Sequence, residues 1–454
     1  MEVRRAHGER VGAAAVLTAV CLAGAIAAGQ QLLPPAPPPS PPQDAGAVPE
    51  TLQDAWRAAL ESDQQLASSQ CNLSSAKSSF EAARAERLPS LNLGADYFAL
   101  SQQPGFVLNL SPLPATQMSF INRDSVGFHS YVSQPIYTFG RISSGINAAG
   151  AAVDANQADV ERTRLDVKMR VAECYVAVLR AARMLEVADS KVASLASHTG
   201  MVNDYFVAGK VPKNDLLAAQ VALADARQQW LEARNGYEST SAEYNRALGR
   251  PLTSRVVLAE LRDDGAAGNV DELTQTALQT RPELVGLAAQ AVALNQQADS
   301  VRAKAAPQIQ LYGGYLYQQD QYITPNGVAA VALTAEWTAF DFGRLRNQSN
   351  ALREKGEAVL RSRRDAESVV ALEVRQRWLD LQTARQRIRV AWEATAQADE
   401  NLRVARGRYQ QQVGTNTEVL DAETLRVQAF TNFYNCTYQA VLAGLSLRRA
   451  VGSL

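Results

Sequence analysis

Few side chains in this 454-residue sequence have the type and spacing to do chemistry. Its three histidines, His7, His129 and His198, stand far from one another and from any Ser/His/Asp set. No glycine-rich phosphate loop and no metal-ligand spacing occurs, so no enzyme chemistry and no cofactor is expected. Cys71, Cys174 and Cys436 are isolated and read as small apolar residues rather than a disulfide framework or a metal site. What remains is a placement of acids. Asp215 and Glu418 lie 418 − 215 = 203 residues apart, and Asp421 follows Glu418 by one helical turn on the same face. Carboxylates repeated in this way concentrate cations and repel anions where a passage narrows. The alternative for the same residues is a helix N-terminal acid, favoured by the dipole and by capping.

The 203-residue separation belongs to the whole chain. Phe139-Gly140-Arg141 returns as Phe342-Gly343-Arg344, and the same offset carries Leu217-Ala218-Ala219-Gln220 onto Leu420-Asp421-Ala422-Glu423. Upstream, Leu60, Leu66, Pro89 and Tyr97 fall on Leu278, Leu284, Pro307 and Tyr315, an offset of 307 − 89 = 218. The chain is therefore a tandem duplication, and its first copy holds 218 − 203 = 15 extra residues between Tyr97 and Phe139, a change best tolerated in a surface loop.

The start reads as a targeting segment. Arg4, Arg5 and Arg10 precede an apolar run over 11–28 that closes on small residues, the pattern of a secretory signal peptide at 1–28. Cys21 raises a lipid anchor, for which Thr18-Ala19-Val20 is a poor match, and an uncleaved membrane anchor is the other reading. The Pro-rich stretch in 29–50 is a stiff spacer, or a docking motif for a proline-binding module. The 45 basic and 46 acidic residues argue against a nucleic-acid partner.

Each copy has the same order of elements. Residues 55–88 carry helix-forming composition stopped by Pro89. Alternation follows at Leu91, Leu93, Ala95 and Tyr97, then at Val126, Phe128, Ser130 and Val132, with a Pro/Gly/Asn loop over 102–123 between them. The second copy repeats it at Ile309, Leu311, Gly313, Tyr315 and Tyr317, and at Val331, Leu333, Ala335 and Trp337. These are hairpins at 90–139 and 308–342. Long helices over 141–206 and 344–411 come next, with seven-residue spacing at Ile146, Val153, Val160 and Val167, at Val171, Val178, Leu185 and Val192, and at Val374, Leu381 and Ile388. At 1.5 Å per residue such a helix is about 100 Å long. Turns then reverse the chain into return helices at 212–248 and 416–451, half as long. The helix before the strands supplies the other half, so each copy (51–250 and 271–454, joined by 251–270) is an antiparallel rod with strands at one end and a helical turn at the other.

Four strands cannot close a barrel, so more than one chain must contribute if they enter a membrane. A soluble β-sandwich on a helical stalk, or a periplasmic coiled-coil scaffold without a pore, is the rival. The two Phe-Gly-Arg junctions, Leu216-Leu217-Ala218-Ala219-Gln220 and Glu418-Val419-Leu420-Asp421-Ala422-Glu423, in duplicated order, resemble the TolC-like outer membrane efflux proteins over nearly all of 52–454. The resemblance implies an α+β membrane protein: a homotrimer whose four strands per chain complete a twelve-stranded transmembrane β-barrel in outer membrane lipid. An antiparallel α-helical coiled-coil barrel would run through the periplasm. It implies a passive channel-tunnel fed by a periplasmic adaptor and an inner-membrane pump of the RND, ABC or MFS type. Small-molecule efflux is favoured, with type I protein secretion as the alternative.

By the same resemblance the tip of the tunnel closes the pore and meets the adaptor. The matching positions are Gly209, Lys210, Val211 and Pro212 in the first copy and Val413, Gly414 and Thr415 in the second. Arg408-Tyr409 matches an Arg-Tyr-x-x-Gly tip, but Gln412 stands at the glycine position, which leaves the second turn's geometry open. Three chains would place Asp215 and Glu418 alternately around one opening, with Asp421 as a further ring.

Overall fold

The computed structural model describes residues 49–109, 111–112, 114–262 and 268–454. The expected signal peptide and all but the last two residues of the Pro-rich segment lie outside them. In chain order the elements are α1 (Leu52–Ser62), α2 (Gln64–Ala85), β1 (Ser90–Ala99), β2 (Gly105–Leu108), β3 (Thr116–Ser119), β4 (Asp124–Tyr137), α3 (Arg141–Val207) and α4 (Lys213–Ala247). The second half follows with α5 (Val270–Thr280), α6 (Pro282–Ala303), β5 (Gln308–Gln318), β6 (Gly327–Glu336), α7 (Arg344–Gln410) and α8 (Asn416–Val451).

The short helix expected to be continuous is broken in both halves, by different chemistry. Asp63 is extended (φ −71°, ψ 119°) and its carboxylate accepts from Gln65 N and Leu66 N, so a side-chain cap replaces one helical turn. At the equivalent place Arg281 precedes Pro282, whose ring pushes it to φ −63°, ψ 120° and which then opens α6. A second difference lies in 102–123, where β2 and β3 pair as a small hairpin inside the expected loop.

The main sheet is antiparallel in the order β1-β4-β5-β6. Its register sets Leu91 against Val132, Leu93 against Ser130, Ala95 against Phe128 and Tyr97 against Val126. It continues with Phe128 against Tyr317 and Ser130 against Tyr315, then Gly313 against Val331 and Leu311 against Leu333. Side chains directly opposite one another share a face, so the four apolar faces are in phase and form one surface. Leu93, Phe128, Tyr315, Val331 and Leu333 on it are all exposed. The ladder shifts register between Pro135 and Tyr137, where a proline cannot donate. β1 and β6 are the two edges of this sheet.

Each long helix has 67 residues, about 100 Å at the standard rise. α3 packs against α2 and α4 and also against α6 and α8, while α7 packs against α5, α6 and α8. The seven-residue stripe is the seam: Val160, Val167, Val171 and Val178 on α3 and Val374 and Leu381 on α7 are buried. Near the midpoint of α3 the start of the described chain is clasped. Glu50 pairs with Leu258 in a parallel bridge, and its carboxylate takes both terminal nitrogens of Arg250 (2.6 and 3.0 Å) and the Tyr244 hydroxyl (3.0 Å). Tyr175 donates to the carbonyls of Glu50 and Ala259. Burial pushes the Tyr175 phenol up to about 12, so it stays a donor at any physiological pH.

Candidate functional site

The expected site sits where the long helices reverse. α3 ends in a Schellman turn: Lys210 N donates to Tyr205 O at 2.8 Å and Gly209 N to Phe206 O at 2.9 Å, with Gly209 left-handed at φ +70°. α7 ends in the same turn, residue for residue at the 203 offset. Val413 N donates to Arg408 O and Gln412 N to Tyr409 O, both at 3.0 Å, and Gln412 itself is left-handed at φ +62°. The second tip therefore has the geometry of the first despite lacking its glycine. A non-glycine residue in this region costs about 1–2 kcal/mol, so Gln412→Gly is expected to stabilise the second tip by about 1 kcal/mol, read as a higher urea midpoint. Gly414 answers a different need. A Cβ there would come within 3.0 Å of Arg408 Cβ.

The remaining tip residues divide by exposure. Lys210, Pro212, Val413 and Thr415 are exposed, and Val211 is half-buried against the apolar cluster under both turns. The Lys210 ammonium lies over the Tyr205 ring, 5.5 Å from its centroid. Pro212 starts α4 without a side-chain cap, whereas Thr415 Oγ1 caps α8 by accepting from Glu418 N at 3.3 Å.

The three acids are not equivalent. Glu418 has its own counter-ion, Arg408 Nη1 at 3.4 Å. Both side chains are well exposed, so the pair offsets charge without adding much stability. Asp215 is half-buried, and its backbone carbonyl accepts from Asn416 Nδ2 at 3.1 Å, which ties the first return helix to the second. Its charge also lies near Tyr409, whose phenol is raised by burial first and by Asp215 second. Asp421 is exposed one turn above Glu418.

The residues that join α3 to the second coiled coil were not among those expected. His198 on α3, only 2% exposed, shares a 2.8 Å hydrogen bond between its Nε2 and Asn416 Oδ1 on α8. Because the Asn416 amide nitrogen already donates to Asp215, His198 Nε2 is the donor in that bond. Burial first, against a supporting bond to Asn416, and then the charge of Arg406 hold its pKa below the ordinary value, so the ring is neutral at pH 7. Two turns higher, the carboxylate of Glu423 (1% exposed) meets Arg406 Nη2 at 3.2 Å, Arg426 Nη1 at 3.5 Å and the Ser194 hydroxyl. A signal for these existed. Leu195, His198 and Val202, and Asn416, Val419 and Glu423, run at i, i+3 and i+7, so each polar residue stands in an apolar stripe.

The fold finds its match among known proteins. The family described as "Outer membrane efflux protein" matches residues 55–250 and 273–453. The chain belongs to that family. This efflux protein is 24% identical over 424 residues to the outer membrane protein TolC of Vibrio cholerae, covering 89% of this chain and 91% of that one. Solved structures share its fold. VceC of Vibrio cholerae superposes with a TM-score of 0.74 at 18% identity, covering 88% of this chain and 96% of that one. CusC gives 0.74 at 17% identity, over 90% and 93%. The family is one of outer-membrane efflux channels, not enzymes. The apolar alternation and the long helices belong to that fold.

Proposed function

We propose that three copies of this chain close a twelve-stranded barrel in the outer membrane. Below it the helices form a periplasmic tunnel that passively conducts small molecules handed over by an inner-membrane pump through a periplasmic adaptor. The observation that carries this is the in-phase apolar face of a four-stranded sheet with two open edges. Such a sheet satisfies its backbone in lipid only when further strands close it. No described helix is long and apolar enough to cross a membrane. The helical part supports the same stoichiometric logic. Leu379 on α7 is 49% exposed while its counterpart on α3, Val176, is fully buried, so α7 keeps a flank that a second copy would cover. The efflux description of the family favours small molecules over secreted proteins.

The tip residues Gly209 to Pro212 and Val413 to Thr415 would meet the adaptor, and Asp215, Glu418 and Asp421 would line the constriction. Single-channel conductance in a planar bilayer tests the reading. Wild type should show a small, cation-selective conductance. Because Arg408 already offsets Glu418, Asp421→Ala should produce most of the selectivity loss seen in an Asp215→Ala, Glu418→Ala, Asp421→Ala variant. Absence of conductance from a folded trimer would favour a scaffold instead.

A further inference from the structure

Although the two breaks are made by different residues, the halves share several contacts there. Ser62 Oγ donates to Leu248 O at 2.9 Å, and Thr280 Oγ1 donates to Val451 O at 2.8 Å. Asp63 N donates to Ala59 O at 2.9 Å, and Arg281 N to Ala277 O at 3.0 Å. Leu66 and Leu284 are buried alike just beyond. One feature is inverted. Asp63 takes Arg170 Nη1 of α3 at 3.1 Å, whereas Arg281 Nη2 takes Glu373 of α7 at 2.6 Å. These are the same two positions, since 281 − 63 = 218 and 373 − 170 = 203. The ion pair is retained with its polarity reversed.

We infer that this reversal directs each pair of short helices to its own long helix. Because the serine or threonine bond, the backbone bond and the buried leucine recur in both halves, α1–α2 docked on α7, or α5–α6 docked on α3, would remake them, and the ion pair is where such a docking would fail in sign. Docking α1–α2 on α7 would set Asp63 against Glu373, with Gln65 offering no cation. Docking α5–α6 on α3 would set Arg281 against Arg170, while Glu283 is already held by Arg281 (3.3 Å) and Arg449 (3.1 Å). The side chains at the break, Asp63 and Arg281, are 10% and 7% exposed while Arg170 and Glu373 are 45% and 31% exposed, so in a wrong docking the break residue is the one left in a dry place without a counter-ion. The opportunity for error is real. Within one chain α6 packs against both long helices and α2 against α3, so in the proposed trimer α2 lies beside the uncovered flank of another copy's α7 and both kinds of long helix are within its reach.

The inference rests on the trimeric reading for its main readout. Asp63→Arg with Arg170→Glu keeps an ion pair in the first half but gives both halves the same polarity. Asp63→Ala with Arg170→Ala removes the pair and the helix cap while leaving no polarity to confuse. If the pair were only a local stabiliser, the reversed variant would assemble as well as the alanine variant or better. The directing role predicts the opposite order: trimer recovered from outer membranes, read by native electrophoresis, falls at least two-fold in the reversed variant relative to the alanine variant. Equal or greater recovery of the reversed variant overturns it. A wild type running as monomer would instead defeat the trimeric reading. Docking would then be judged by trypsin resistance of α1–α2, with the same ranking required.

Discussion

Val331→Arg is expected to abolish most membrane insertion, while Ala332→Arg, one residue along the same strand, is expected to leave it nearly intact. Both positions lie in the middle of β6 and both are exposed in the single chain. Register separates them. Val331 stands opposite Gly313, on the face shared with Leu93, Phe128 and Leu333, whereas Ala332 stands opposite Tyr312, on the face that carries Asn92, Asp96 and His129. An arginine facing lipid near the midplane costs about 2–4 kcal/mol per chain, and one facing a polar lumen costs close to nothing. In a trimer the cost is incurred three times. The measurement is the fraction of protein in detergent-extracted outer membranes after mild expression. Equal loss for both variants would mean that the sheet does not present one face to lipid.

The second large effect is asymmetric across a single ion pair. Arg406→Ala should destabilise the tip by about 3 kcal/mol, whereas Glu423→Gln should cost about 1 kcal/mol, measured as shifts in urea midpoint and in trypsin cleavage near the turns. The reason is which partner is left behind. Glu423 is 1% exposed, and without Arg406 its carboxylate keeps only Arg426 at 3.5 Å and the Ser194 hydroxyl. A buried charge that loses its main partner carries several kcal/mol of desolvation cost. The Arg406 and Arg426 side chains are 36% and 23% exposed, so each can turn to water when the carboxylate becomes an amide. Equal costs would show that Glu423 is hydrated in the folded protein.

Much of this architecture is legible in the residues because it rests on periodicities and repeats. The switch from period two at Leu91 to Tyr97 to period seven at Ile146 to Val167, and its return from Ile309 to Tyr317 and from Val374 to Ile388 in the second copy, marks strands, long helices and their order. The helix breaks were harder. Asp63 carries no glycine or proline beside it, and only its side-chain bonds to Gln65 and Leu66 show that it caps rather than continues. The turn at Gln412 was obscured for the opposite reason: hydrogen bonds to Arg408 and Tyr409 hold a left-handed conformation that the residue itself disfavours. His198 and Glu423 could be seen to interrupt apolar stripes, but the bonds that tie α3 to α8, His198 to Asn416 and Ser194 to Glu423, join residues more than two hundred positions apart in sequence. Strand register is likewise a pairing property. Alternation shows that each strand has an apolar face, and pairing decides that the four faces coincide.

The clasp around Glu50 has a practical geometric meaning. Tyr175, which holds the Glu50 carbonyl, is close to the centre of a 67-residue helix. A fluorophore or affinity handle joined just ahead of Glu50 therefore attaches at the waist of the rod, about 50 Å from the sheet and about 50 Å from the turns. Distances measured from it to each end should both stay constant if the rod tilts as a rigid body, and only the distance to the turns should change if the turns alone splay apart.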